Sequence, residues 1–215
     1  MRRLRVQEYV QPKVEARVKS VKNMGKQWKV TSPLLVALGG NVSLAGESLE
    51  QTLAKALIAL VKTGFAIRAV SRFYRTPCFP EGAGPDYVNA AVMLESSLSS
   101  EDALVQLHRV EAEFGRERVQ RWGQRTLDLD LIAHGDAVLP SVADFNEWRA
   151  LDPDLQAKAA PDRLILPHPR LQDRAFVLVP LADIAAAWRH PVLGQTVHQL
   201  LQQLPAQEIA EVSAL

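Results

Sequence analysis

Arg121-Trp122-Gly123-Gln124-Arg125-Thr126-Leu127-Asp128-Leu129-Asp130-Leu131 carries two patterns at once. Its second half alternates strictly, with Leu127, Leu129 and Leu131 set against Thr126, Asp128 and Asp130. Alternation with period two predicts a half-buried strand whose leucines face a core. Asp128 and Asp130 then project together from the opposite face. Two neighbouring carboxylates repel unless a positive group sits between them. A hard divalent cation such as Mg²⁺ suits that place, because it takes oxygen ligands and often only one or two carboxylates, with phosphate oxygens filling the shell. Arg121 and Arg125 lie just upstream, and a guanidinium fork matches phosphate oxygens bidentately. Taken alone, an Asp-x-Asp pair is more often an exposed strand face with solvated aspartates.

Working outward from this stretch, the chain alternates between helix-period and strand-period segments. Leu34 to Leu38 is a short apolar run that predicts a buried strand, and Gly39-Gly40-Asn41 closes it with residues that tolerate unusual backbone angles, either as a plain strand-to-helix turn or as a close backbone approach to a ligand. Leu49, Leu53, Ala56, Leu57 and Leu60 recur at helical spacing, with Gly64 as the stop. A strand near 66–74 and a second near 87–95 flank a loop rich in Gly and Pro, which predicts a hairpin. Tyr87 and Asn89 share one face of the second strand. An aromatic ring plus an amide suits a flat heterocycle with hydrogen-bonding edges, although such a pair on a strand is more often structural. Ser99 or Ser100 caps a helix over 101–114 that carries Leu104, Leu107, Val110 and Phe114 on its buried stripe, with His108 and Glu111 on another face. Phe176 to Val179 is expected as a strand, and Thr196 caps a last helix near 196–204. Strands near 34–38, 66–74, 87–95, 127–133 and 176–179 with helices near 47–63, 101–114 and 196–204 make an α+β order. Its β-α-β-β-α-β core predicts a ferredoxin-like antiparallel sheet packed with helices on one face.

Composition sets the bounds. The 215 residues are 47% hydrophobic and 23% charged, an ordinary globular balance with room for a sizeable core. The single cysteine, Cys78, excludes an internal disulfide and is read as a small apolar loop residue. No apolar run reaches membrane-spanning length. Residues 1–32 hold nine Lys/Arg against two acids, a net +7 in a chain of net +1. They are expected as a flexible basic extension rather than a nucleic-acid arm, because basic and aromatic residues do not interleave there. Residues 33–204 are expected as the working domain, interrupted near 140–162 by a surface insertion, with a short helix over 150–160 and no catalytic role. Residues 205–215 are expected as a tail.

Three strings, taken together, resemble the 6-hydroxymethyl-7,8-dihydropterin pyrophosphokinase family: RWGQRTLDLDLI at 121–132, FYRTPCFPEGAGPDYVNAAV at 73–92, and the run from Pro167-His168-Pro169 to Phe176. The strand ending in Gly39-Gly40-Asn41 fits as well, although the family usually has serine where Gly40 stands. The resemblance implies the same α+β fold and transfer of pyrophosphate from ATP to the hydroxymethyl group of a reduced pterin, with AMP released. By the match, Asp128 and Asp130 would hold two Mg²⁺ ions, and Arg116, Arg118 and Arg125 would assist the transfer. Thr76, Pro77, Phe79, Tyr87, Asn89, Trp122 and Phe176 would line the pterin site. Glu111, His108, Arg121, Leu131, Arg163, His168 and Arg174 would bind the nucleotide. His108 departs from the family's glutamine, and the arginine loop at 115–121 is slightly short. ATP and 6-hydroxymethyl-7,8-dihydropterin are the implied partners of a cytoplasmic monomer with no nucleic-acid or membrane partner. Two other readings stay open on sequence: a non-catalytic RNA-binding sheet, and another Mg²⁺-nucleotide transferase on the same scaffold.

Overall fold

The computed structural model describes residues 31–44, 46–78, 84–115, 125–152, 155 and 161–215. Phe79, Arg116, Arg118, Arg121 and Trp122 lie outside the described residues. The elements run β1 (Ser32–Gly40), α1 (Leu49–Lys62), β2 (Ala66–Val70), β3 (Tyr74–Thr76), β4 (Tyr87–Ser96), α2 (Ser100–Glu113), β5 (Asp128–His134), α3 (Val142–Ala150), α4 (Ala175–Ala185), α5 (Val197–Leu201), α6 (Ala206–Ala210) and β6 (Ser213–Ala214). The strand order is β5-β1-β4-β3-β6, with β2 also on β4, and every pairing is antiparallel. The expected β-α-β-β-α-β order therefore holds through β5, with β2 and β3 together filling the place of one strand.

The central strand β1 shows why Leu34 to Leu38 is apolar without interruption. Leu34, Val36 and Leu38 join a core with Leu53, Ala56 and Leu60 of α1 and Leu107, Val110 and Phe114 of α2. Leu35 faces the other way, into a second core with Val177, Leu178 and Leu181 of α4 and Val197 and Leu200 of α5. A strand covered on both faces needs apolar side chains at consecutive positions. Helices thus pack on both faces of the sheet, not on one as the sequence suggested. No helix among the described residues is long and apolar enough to cross a membrane.

The two central helices start and stop where their sequences signal. Ser48 accepts from the Gln51 amide while the Gln51 side chain accepts from the Ser48 amide, a reciprocal cap for α1. Ser99 caps α2 through the Asp102 amide. Gly64 and Gly115 end them at φ 96° and 78°, angles that strain any side chain.

Several expectations are corrected. Residues 176–179 are the first turns of α4, not a strand. A four-residue Phe-Val-Leu-Val run has strand composition, but the apolar stretch continues to Ala185 with Val177, Leu178, Leu181 and Ala185 buried, which only helical spacing satisfies. The segment 66–74 breaks at Ser71, whose hydroxyl accepts from the Ala91 amide at 2.8 Å and so replaces a ladder bond. The insertion forms a helix at Val142–Ala150 that the sequence did not suggest, and the expected helix over 150–160 lies largely outside the described residues. Nor is it wholly superficial: Phe145 is fully buried, 5.2 Å from the His190 ring centroid. The expected tail 205–215 contains α6 and β6, and β6 extends the sheet beside β3.

Candidate active site

The site is built on the α4 face of the sheet, at the end where β1 finishes. Leu127, Leu129 and Leu131 are buried in the core under α1 and α2. Alternation then puts Asp128 and Asp130 on the opposite face, in line with Ile132, which packs in the α4 core. Both carboxylates retain access to solvent, with 21% and 39% of their side-chain surface exposed. Leu131, expected among the nucleotide-binding residues, has its side chain in the core, so only its backbone is available to a ligand.

Register places the remaining groups. Gly39 pairs with Asn89 of β4 on one side and with Asp128 of β5 on the other. One residue pair deeper, Ala37 lies between Ala91 and Asp130. The floor between the amide and the carboxylates is therefore made of glycine and alanine. A Cβ on Gly39 would stand 2.7 Å from Asn89 Oδ1, and one on Gly40 would stand 2.5 Å from the Thr126 carbonyl oxygen. These glycines have no positive φ, contrary to the expected tolerance of unusual angles; they are needed for close approach. The Asn89 amide donates to Thr76 Oγ1 at 2.8 Å, and β3 register puts Thr76 opposite Tyr87. Both Asn89 and Thr76 are buried, so a planar ligand would meet the rest of a preset hydrogen-bonding edge.

Electrostatics join the two halves. Arg125 forms an ion pair with Asp128. Burial holds the Tyr87 phenol above its ordinary value, with Cys78 and Asp128 adding and Arg125 opposing, so the hydroxyl is protonated at neutral pH and beside the Arg125–Asp128 pair. Arg174 approaches Asp130 Oδ2 at 3.9 Å and lies over the Phe176 ring, 5.6 Å from its centroid. Burial pushes the Arg174 guanidinium below its usual range, while Asp130 and Asp128 pull it back up. His168 is pushed down to about 3, first by burial and then by Arg174 and Arg170. It is therefore neutral at physiological pH. Its Nδ1 accepts from the Arg170 amide at 3.1 Å, which leaves the proton on Nε2 and makes that nitrogen a donor. The backbone amide of His168 donates to Ile132 on β5 at 2.8 Å, which ties the Pro-His-Pro turn to the aspartate strand.

The other proposed site residues fall in different places. Glu111, expected to contact nucleotide, is buried, and its Oε1 accepts from the Leu129 amide at 2.8 Å. Leu129 lies between the two aspartates on an edge strand, so this carboxylate fixes their spacing. His108 is exposed on α2. Arg163 is paired with Asp144 of α3 at 2.6 Å. Pro77 follows β3 directly, and Phe176 sits in the first turn of α4 with 39% of its surface exposed.

Sequence reading named Asn41 only as part of the turn after β1 and missed what its side chain holds. This buried residue accepts from the Arg125 amide through Oδ1 at 2.9 Å, and its own amide donates to the Arg125 carbonyl at 2.9 Å. Its side-chain nitrogen reaches the Pro85 carbonyl at 3.4 Å. Asn41 thus ties the end of β1, the hairpin loop and the strand entry together. The turn itself marks the residue, but no local signal gives its partner, which lies 84 positions away in the chain.

Comparison with known proteins identifies the family. A family model described as 7,8-dihydro-6-hydroxymethylpterin-pyrophosphokinase (HPPK) matches residues 35–186. The 2-amino-4-hydroxy-6-hydroxymethyldihydropteridine pyrophosphokinase of Synechocystis is 39% identical over 170 residues, covering 79% of this chain and 75% of its own. The Haemophilus influenzae protein of that name is 34% identical over 168 residues, 78% of this chain and 90% of its own. The crystal structure of wild-type Plasmodium falciparum HPPK-DHPS superposes with a TM-score of 0.54 at 14% identity, over 81% of this chain and 45% of that longer one. At that identity the superposition speaks for the fold alone. By the family match and the curated relatives, this chain belongs to the 7,8-dihydro-6-hydroxymethylpterin-pyrophosphokinase family.

Proposed function

We propose that this protein transfers pyrophosphate from ATP to the hydroxymethyl group of 6-hydroxymethyl-7,8-dihydropterin, a step of folate synthesis, and releases AMP. Family membership supports the reaction class. The observation that carries the assignment to this chain is the cross-strand row Asn89–Gly39–Asp128. It sets a buried amide with a free edge beside a carboxylate pair across a floor without side chains. Thr76, Pro77, Tyr87, Asn89 and Phe176 would hold the pterin, with Phe79 and Trp122 joining them. His168 and Arg174 would hold the nucleotide, with Arg163 and His108 at its periphery.

The carboxylates fit Mg²⁺ as a nucleotide-borne ion. Two partly exposed aspartates on one strand face suit an ion that keeps waters and phosphate oxygens, and among the described residues no group of three or more His, Cys, Asp or Glu converges into a self-sufficient site. Asp128 and Asp130 would hold two such ions, which supply charge neutralisation of the triphosphate. The chain's own part is mostly positioning and charge. Arg125 and Arg174, each in contact with an aspartate, would bring positive charge to the place where negative charge develops on the transferring group. His168 Nε2–H donates one hydrogen bond without adding charge. Arg116 and Arg118 would add cations from the segment of sequence that precedes β5.

The test is AMP release from ATP in the presence of Mg²⁺, with and without the pterin. AMP that forms only with the pterin present supports the proposal. AMP formation independent of the pterin, or none at all with both substrates bound, overturns it.

A further inference from the structure

The last ten residues are exposed or only partly covered, and none of α6 is buried. They nevertheless touch both elements that flank the proposed pterin pocket. β6 pairs with β3 in the register Tyr74↔Ala214 and Arg75↔Ser213, and the Leu215 amide donates to the Phe73 carbonyl at 3.0 Å. α6 packs against α4. β3 carries Thr76 into Pro77, and α4 carries Arg174 and Phe176 at its start. Inside this outer connection, Asp183 of α4 accepts from the Arg72 amide at 3.1 Å, from the Arg72 guanidinium at 2.8 and 3.1 Å, and from the Tyr74 hydroxyl at 2.8 Å.

We propose that residues 206–215 are a positioning staple for the pterin half of the site, holding β3 and α4 at a fixed separation from outside. β3 has only three residues and, without β6, would be an edge strand with one row of backbone groups unpaired. A short strand held on one side frays more readily than one paired on both. Thr76 and Asn89 share a hydrogen bond, so motion in β3 passes directly to the amide that would read the pterin. The nucleotide half shares the start of α4 through Arg174, and its other anchors lie away from the staple, in the bonds to Ile132 and Leu129 of β5. The proposal rests on the assignment of Thr76 and Phe176 to the pterin pocket.

Two truncations test it, one ending at Leu204 and one at Glu211, with Ser213→Pro as a full-length variant that weakens only the β6 pairing. Because no residue of 206–215 is buried, the core survives their removal, and a thermal melt checks this. The KM for the pterin is expected to rise about three- to tenfold in both truncations and in the same direction in Ser213→Pro, since ordering lost from the free site must be recovered on binding. The KM for ATP and kcat are expected to stay within about twofold. An unchanged pterin KM in all three variants overturns the proposal. A parallel loss in both KM values and kcat also overturns it, because that pattern means general loosening. Failure of the full-length protein to form AMP would instead overturn the functional reading itself.

Discussion

Gly39→Ala puts one methyl group into the floor between Asn89 and Asp128. The added Cβ would lie 2.7 Å from Asn89 Oδ1, a separation that forces movement. β1 is the central strand, paired on both edges, so its backbone is the stiffer partner and the Asn89 side chain must turn away. Turning it breaks the 2.8 Å bond to Thr76 in a buried place. A lost buried hydrogen bond costs about 0.5–1.5 kcal/mol, and overpacking of a tight site adds about 1–3 kcal/mol. A destabilisation near 2 kcal/mol follows, which for a domain of this size lowers Tm by about 4–8 °C. The functional effect is expected to be one-sided. The pterin KM should rise by at least about tenfold through loss of the preset amide, while ATP binding, measured by calorimetry with a non-hydrolysable analogue, should change by less than about threefold. A variant with wild-type Tm and wild-type pterin KM would refute the close-approach reasoning. Equal weakening of both substrates would show that the floor is not specific to the pterin half.

Other perturbations separate the roles of neighbouring residues. Asp128→Asn and Asp130→Asn are each expected to reduce turnover by more than about a hundredfold while the melt stays within a few degrees, because both side chains are partly exposed and neither fills the core; normal turnover in both would remove the metal assignment. Glu111→Ala leaves the buried Leu129 amide without its acceptor and should cost about 1–3 kcal/mol in urea denaturation, with a fall in kcat from displaced aspartates. Asn41→Ala should cost a similar amount by freeing the Arg125 amide, and an unchanged urea midpoint would show that Arg125 is held by other means. His168 and His190 have folded values pushed down to about 3 and about 4, against 6.5 when unfolded. Their neutral forms therefore contribute stability that is fully present above pH 6.5 and is lost as pH falls toward those values, at up to about 1.4 kcal/mol per pH unit for each residue. His168→Gln should make the pH 7 to 5 stability profile shallower; an unchanged slope would mean that His168 already protonates freely in the fold.

The aspartate strand was legible because its alternation is local and complete: three leucines buried on one side require two aspartates on the other. The two central helices were legible for the same reason, with their caps and terminal glycines in the chain itself. α4 was not, because Phe176 to Val179 is too short to distinguish helix from strand, and the distinguishing residues lie beyond Pro180. The second helical layer was missed with it, although the unbroken apolar run in β1 was its trace in the sequence. Asn41 and Glu111 were both named in the sequence, but their partners were not legible. Each acts on a backbone group far along the chain, so residue type gave no hint of the partner. The C-terminal staple had no signal at all, since its ten residues bury nothing and act through main-chain pairing. The glycines at 39 and 40 were rightly singled out for close approach, but the neighbours that demand it are Asn89 and Thr126 of the chain itself, and backbone angle plays no part.

The most direct test follows both phosphoryl groups at once. Phosphorus-31 NMR of the protein with Mg²⁺, ATP and 6-hydroxymethyl-7,8-dihydropterin should show AMP and a pterin diphosphate rising at equal rates, with the β and γ phosphorus atoms of ATP appearing together on the pterin. ADP with a pterin monophosphate would keep the aspartate and arginine arrangement as a phosphate site but would contradict pyrophosphate transfer as the reaction of this protein.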